Sequence, residues 1–476
     1  MPTIWEALVP ILFLIGALIL NFSLFGDAGL DGSIQTILIL ATAITGLVGA
    51  RLGIKWDQMI EGMVNTISSA MPSILILLFI GALSGTWLIS GIVPSMIYYG
   101  LKILNPTIFL FASCIICAIV SVASGSSWST VGTVGIALLG IGTTLGFEQG
   151  MVAGAIISGA YFGDKISPLS ETTNLAPAVA GTDLISHIRY MLFTTVPTIS
   201  ITLVIFIILG FTAHDGSGTV NVDSVMVALE NKFNLNPILF IVPVGVFFMI
   251  AKRVPAIPAL LVGAISAAIL AIFFQPEAIR EVAGHELSFG LASLKAVMMA
   301  GFGSISLTTE NEIVNELLSS GGMAGMLNTI WLILTAMCFG GMMEATGLLH
   351  KLTSTIMRAI KTDASLVGCT GFSSIFINFA TSDQYLSVVL PGKMYQEAFE
   401  ERGLDPVNLS RTLEDCGTVT SPLIPWNSCS VYHSTVLSVN PMAFIGYCFF
   451  NLISPIMTMI FIIFNIKIKR LKKELA

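Results

Sequence analysis

Long apolar runs alternate with short polar breaks along almost the whole chain. Spans are expected at 4–24, 34–52, 71–91, 106–124, 190–213, 237–251, 254–274, 328–347, 363–380 and 442–466. A helix of about 20 apolar residues matches the thickness of a bilayer's hydrocarbon core. Four further segments, 121–143, 150–180, 381–397 and 412–440, are too polar or too broken to be ordinary spans. The pattern predicts an all-α polytopic membrane protein of about 10–12 transmembrane segments, with discontinuous helices and re-entrant hairpins among them. The alternating ten-residue strands of an outer-membrane barrel are absent.

The most polar break within the apolar runs is 160–180, AYFGDKISPLSETTNLAPAVA. It holds Asp164, Lys165 and Glu171 between two apolar stretches. A charge at bilayer depth costs about 3 kcal/mol on insertion scales, which makes such a residue a functional candidate. Pro168 and Pro177 each remove a backbone donor and disfavour helix at the preceding residue. The segment therefore reads as a helix that stops, exposes carbonyls and restarts. Irregular backbone at that depth is tolerated where it is buried in protein or lines a polar cavity. An ion or substrate site is expected here.

Composition agrees and narrows the class. Of 476 residues, 55% are hydrophobic and 10% charged, and mean hydropathy is +0.90. A soluble domain carries about 25% charge. The net charge of −7 comes with no basic patch, so no nucleic-acid partner is expected. Residues 1–5 hold no Lys or Arg, so the first apolar run reads as a retained span rather than a signal peptide. Cys114 and Cys117 form a CxxC inside the run IFLFASCIICAIV, where small-residue packing is the plainer reading than metal or redox chemistry.

Basic residues orient the chain. The tail IKIKRLKKELA is expected inside, and Lys351, Arg358, Lys361, Lys252, Arg253, Arg51 and Lys55 follow it there. Both termini are then cytoplasmic. The segment 214–236, HDGSGTVNVDSVMVALENKFNLN, reads as an extracytoplasmic linker between an N-terminal half, 1–213, and a C-terminal half, 237–476. A shift of about 255 positions aligns the halves and predicts an inverted-topology repeat. It sets Gly85 on Gly341, Gly91 on Gly347, Trp128 opposite Tyr385 and Ser126 opposite Asp383. It also sets GDKISPL, 163–169, on GTVTSPL, 417–423, through the shared Ser-Pro-Leu.

Four broken segments should converge near the midplane: SVASGSSWST, GDKISPLSETTN, ATSDQYLS and SPLIPWNSCSVYH. Their oxygens suit a hard cation. The expected ion-binding residues are Asp164, Ser167, Glu171, Thr172, Thr173, Asn174 and Asp383, with Asp164, Thr173 and Asn174 as Na+ ligands. The expected cavity residues are Ser126, Trp128, Lys165, Tyr385, Trp426, Asn427, Ser428 and Ser430. Plainer roles stand beside these. Ser121, Ser127 and Ser129 could simply bond back to their own helices, and Trp128, Tyr385 and Trp426 could be packing aromatics. Lys165 reads either as a substrate contact or as the counter-ion of Asp164; Glu344, Arg402 and Glu414 read as loop or helix-end charges. No catalytic residue is expected, because serines are plentiful but His433 is the one histidine near these motifs. A channel filter usually needs a symmetric ring of subunits, so two related halves in one chain favour alternating access.

GDKISPLSETTNLAPAVAGTD followed by HIRYMLFTTVPT, with SPLIPWNSCSVYHSTVL in the second half, resembles the NhaC family of bacterial sodium/proton antiporters. The resemblance covers nearly the whole chain. It implies inverted repeats with re-entrant hairpins, a place in the bacterial cytoplasmic membrane, and Na+/H+ exchange at a buried carboxylate with no cofactor. Asp383 in ATSDQYLSVVLPGKMY also fits that family's pattern. The expected partners are sodium ion, proton and membrane lipid, with a homodimer and a small carboxylate as further expectations. Some relatives exchange malate and protons for lactate and sodium, so organic-acid or amino-acid exchange stands as the alternative. An anionic substrate would need Lys165 or the positive ends of broken helices.

Overall fold

The computed structural model describes residues 2–25, 32–212, 222–252, 254–358 and 360–471. The acidic loop 26–31, the front of the linker to 221, Arg253 and the end of the basic tail lie outside the described residues. Among the described residues, eight helices are long and apolar enough to cross a membrane: Ile4–Phe25, Ser33–Arg51, Trp56–Ile89, Pro106–Ser124, Leu184–Thr212, Ala256–Phe274, Gly322–Ala345 and Asp363–Thr381. Two bent pairs, Val222–Lys232 with Pro237–Ile250 and Pro441–Tyr447 with Phe449–Ile463, raise the figure to ten. The chain is an all-α, multi-pass membrane protein. The one exception is a short antiparallel ribbon, Ile305–Ser306 on Ser319–Ser320.

The helix expected at 71–91 begins at Trp56 and runs for 34 residues. Its polar front, with Asp57 and Glu61 on the exposed side, extends beyond an ordinary span's length. Small residues hold it in place. A Cβ on Gly62 would lie 2.5 Å from the Cβ of Ala345, so the helix backs directly onto Gly322–Ala345. The linker segment 214–236 contains a helix of its own, Val222–Lys232, and a further apolar helix, Phe289–Phe302, has no counterpart among the expected spans.

The internal repeat is written in the helix ends. Left-handed residues recur as Gly91 and Gly347, then as Gly125 and Ser382, Gly146 and Gly403, Gly181 and Ser438. The last three pairs are each 257 positions apart, and the same spacing links the N-caps Asn105 and Thr362, Ser126 and Asp383, Ser170 and Asn427. Glu171–Ala180 accordingly matches Ser428–Leu437, end for end. This register keeps Ser126 opposite Asp383 and Trp128 opposite Tyr385. It corrects the Ser-Pro-Leu alignment: Ser167 matches Ile424 and Pro168 matches Pro425, so the second Ser-Pro-Leu lies about one helical turn upstream. The shared function of the two segments is to stop a helix, and the prolines that do so are 168 and 425.

The halves interlock rather than stand apart. Ala7, Leu14, Leu38 and Ala41 of the first two helices are buried against Leu332, Phe339, Leu349 and Ile377 of the second half. Leu260 and Ala267 in turn share a core with Leu77, Leu83 and Trp87.

Candidate functional site

The helix Gln149–Ile166 stops because Pro168 lacks an N–H and holds Ser167 extended, with φ −79° and ψ 126°. It restarts at Glu171, where the hydroxyl of Ser170 accepts the amide of Thr173 at 3.3 Å. Side chains answer the carbonyls freed by the break. Thr173 Oγ1 donates to the carbonyls of Asp164 and Lys165 at 3.1 and 3.0 Å, and Ser167 Oγ donates to that of Val122 at 2.8 Å. Asn174 Nδ2 donates to the carbonyls of Pro168 and Ser170 at 3.0 and 2.6 Å. Ser167, Thr173 and Asn174 thus spend their donors on the shape of the break.

A second break faces the first. Pro106–Ser124 ends at Gly125, with φ 67°, and a new helix begins at Ser127. A Cβ on Gly125 would lie 2.6 Å from the backbone carbon of Leu169, so only glycine lets the two breaks touch. Asp164 Oδ2 accepts the amide of Ser127 at 3.1 Å and its hydroxyl at 2.7 Å. The carboxylate therefore sits on the N-terminus of the Ser127 helix, where the first N–H groups favour negative charge.

Asp164 opens onto a cavity of about 400 Å³. Its polar wall consists of Ser124, Ser126, Ser127, Ser129, Asp164, Ser170, Glu171, Thr172, Gln384 and Tyr385, with Trp128 beside them. No lysine or arginine among the described residues lines it. Tyr385 donates to Glu171 Oε2 at 2.7 Å, so the two halves meet across the cavity's more exposed side.

Lys165 points the other way. It is buried and ion-paired with Asp415, whose carboxylate also accepts Ser454 at 3.0 Å, Thr194 at 3.1 Å and Thr458. This corrects both readings of Lys165: its partner is neither a substrate in the cavity nor Asp164. Glu414 is likewise no helix-end charge. It is fully buried, accepting Thr172 Oγ1 at 3.3 Å and Thr418 Oγ1 at 3.1 Å. Glu414–Thr418 is a π-helical turn, one residue wider than an α turn, and it follows the helix Pro406–Leu413.

The other second-half candidates build the matching break. Asp383 is buried and caps its own helix, accepting the amide of Leu386 at 2.7 Å, while its neighbours Gln384 and Tyr385 reach the cavity. Asn427 accepts the amide of Cys429 at 3.0 Å and donates to Asn378 Oδ1 at 3.2 Å. Trp426 Nε1 donates to the carbonyl of Phe379 at 2.9 Å, and the amide of Ser428 to that of Ser382 at 3.0 Å. Ser430 Oγ is buried without a hydrogen-bond partner. None of Trp426, Asn427, Ser428 or Ser430 lines the cavity.

A family model described as the Na+/H+ antiporter family matches residues 159–466, which include the first break and both acids of the π turn. The chain belongs to the Na+/H+ antiporter family. Among its relatives, a Na(+)/H(+) antiporter NhaC of Alkalihalophilus pseudofirmus is 36% identical over 89% of this chain and 88% of its own length. A malate-2H(+)/Na(+)-lactate antiporter of Bacillus subtilis is 34% identical over 95% and 93%. An arginine/ornithine antiporter ArcD of Halobacterium salinarum is 36% identical over 96% and 91%. Relatives of this family are named as transporters, and the chain is likewise no enzyme.

Proposed function

We propose that the chain exchanges Na+ for H+ across a bacterial cytoplasmic membrane, with both ions competing for the carboxylate of Asp164. One observation carries the reading. Asp164 stands in a cavity wall of hydroxyls and a second acid, and no basic side chain among the described residues lines it. The oxygens of this wall suit a small hard cation. Either ion neutralises the carboxylate, and a charged empty site crosses the bilayer at high cost, so exchange follows when the empty carrier rarely reorients. Alternating access by two halves of opposite orientation agrees with the recurring helix ends. Arg402 and Arg470 both pair with Asp363, at 3.4 and 2.8 Å, and Lys469 with Asp405 at 3.0 Å. The basic tail thus gathers with the loops before 363 and 406 at one end of the molecule, which supports a cytoplasmic C-terminus.

Exchange of an organic anion is less favoured, since the cavity offers no lysine or arginine among the described residues to receive it. In proteoliposomes free of carboxylates and amino acids, an imposed Na+ gradient should drive proton flux. Asp164→Asn should abolish that flux while the protein remains folded and inserted. Wild-type exchange in Asp164→Asn, or a strict need for malate, lactate or an amino acid, overturns the proposal.

A further inference from the structure

A second polar cavity, of about 590 Å³, lies deeper along the same helices. On Trp56–Ile89, Pro72 and Ile76 face the first cavity, whereas Ile80 and Ser84 face the second. From Ser127 to Thr144 the order is the same: Ser127, Trp128 and Ser129 first, then Ile136, Leu139 and Thr143. The second cavity is completed by Ser438 at the end of the Ser428–Leu437 helix and by the ribbon residues Ser306 and Ser319. Two spaces, each large enough for several waters, thus lie in series along one set of walls.

An aromatic pair links the lining of the first, through Trp128, to that of the second, through Ile80. Tyr432 stacks on Trp128 with ring centroids 4.0 Å apart and planes 19° from parallel, and its hydroxyl donates to the Trp128 carbonyl at 2.7 Å. That hydroxyl reaches the π-helical turn Val131–Gly135 at Gly132. A Cβ on Gly132 would lie 2.8 Å from Tyr432 Oη and 2.7 Å from Ile80 Cδ1, so this contact closes only over glycine. Trp128 belongs to the first half and Tyr432 to the second, so any rotation of one half against the other shears the stack. The repeat makes the plug one-sided. Tyr385, the counterpart of Trp128, reaches Glu171 at the first cavity instead of stacking across the path.

We propose that the Trp128–Tyr432 stack, seated on Gly132 and Ile80, is the closed gate of the transport path, and that the second cavity is the vestibule serving the opposite face of the membrane. The inference rests on the exchange reading above for what passes, but not for how the path is built.

The test labels cysteines rather than measuring flux, so the two readings fail separately. Ser124→Cys reports the first cavity and Ser84→Cys the second, in a chain whose native cysteines are replaced. A membrane-impermeant thiol reagent, applied to right-side-out and to inverted vesicles in sodium-free alkaline buffer, where the empty carrier rarely reorients, should label Ser124→Cys from one side and Ser84→Cys from the other. Tyr432→Ala should remove the barrier, so that each cysteine is labelled from both sides. Labelling of both cysteines from the same side in the parent background overturns the proposal. So does a Ser84→Cys that stays unlabelled in vesicles yet reacts in unfolded protein, which would make the second space a sealed void. Unchanged sidedness in a folded Tyr432→Ala variant would place the barrier elsewhere. Loss of Na+-driven proton flux in the wild type would refute the exchange reading and leave these labelling results standing.

Discussion

Lys165→Met separates a structural charge from a substrate contact. Lys165 and Asp415 are both buried, and the lysine makes the ion pair in that pocket. Removing one partner of a buried pair costs about 3–5 kcal/mol, because the other charge is left uncompensated. Asp415 would retain hydroxyl donors from Ser454, Thr194 and Thr458. Those contacts keep the loss near the lower end, about 3 kcal/mol, or roughly a hundredfold in the folding equilibrium. Met fills the volume of the lysine stem, so cavity formation adds little. The double variant Lys165→Met/Asp415→Leu removes both charges and should regain most of the lost stability. The assay is equilibrium unfolding of purified protein in detergent, comparing both single variants with the double in a thermodynamic cycle. A Lys165→Met protein as stable as wild type but dead in transport would refute the reasoning and return Lys165 to the substrate. A double variant no more stable than Lys165→Met would refute the pairing.

Two further substitutions test the site and the scaffold. Ser127→Ala removes the 2.7 Å bond to Asp164 but leaves the backbone donor, and a hydrogen bond to a charged group is worth about 1.5 kcal/mol or more. Because that donor competes with the ion for the carboxylate, an approximately tenfold tighter apparent affinity for Na+ is expected in flux titrations, and an unchanged affinity counts against Asp164 as the ion ligand. Gly159→Ala sets a Cβ 2.1 Å from the carbonyl of Cys114, where overpacking costs about 1–3 kcal/mol and should lower the melting temperature. Gly290→Ala, with open space around it, is the neutral comparison; equal melting temperatures would refute the close helix contact.

The spans were legible because each needed only hydropathy and length, and the break at Ser167 because proline acts on its immediate neighbours. The repeat was visible too, but the identical Ser-Pro-Leu triplets drew the alignment three positions away from the helix caps that define it. Pairings across the chain left no local mark. Nothing near Lys165 points to Asp415, 250 positions away. Glu414 read as a loop or helix-end charge, but it lies in a π turn that continues a helix buried on every side. The signal that existed was two adjacent acids, EDCGTVTSP, running straight into small and hydroxyl residues ahead of a helix break. Thr173 and Asn174 show a related effect: the carbonyls freed by a break need donors, and these side chains are the nearest ones.

The seat of Asp164 on the Ser127 helix bears on speed. Its carboxylate accepts an amide and a hydroxyl that the protein itself supplies. On the exchange mechanism proposed above, an arriving ion therefore meets a charge already partly satisfied and gains less than it would from a bare carboxylate. Its dwell time shortens accordingly, since weaker holding is expressed mostly as faster escape. A carrier that must release its cargo on every cycle works better with such a shallow well than with a deep one. The helix end that steadies the empty carboxylate is thus also what keeps the site from becoming a trap.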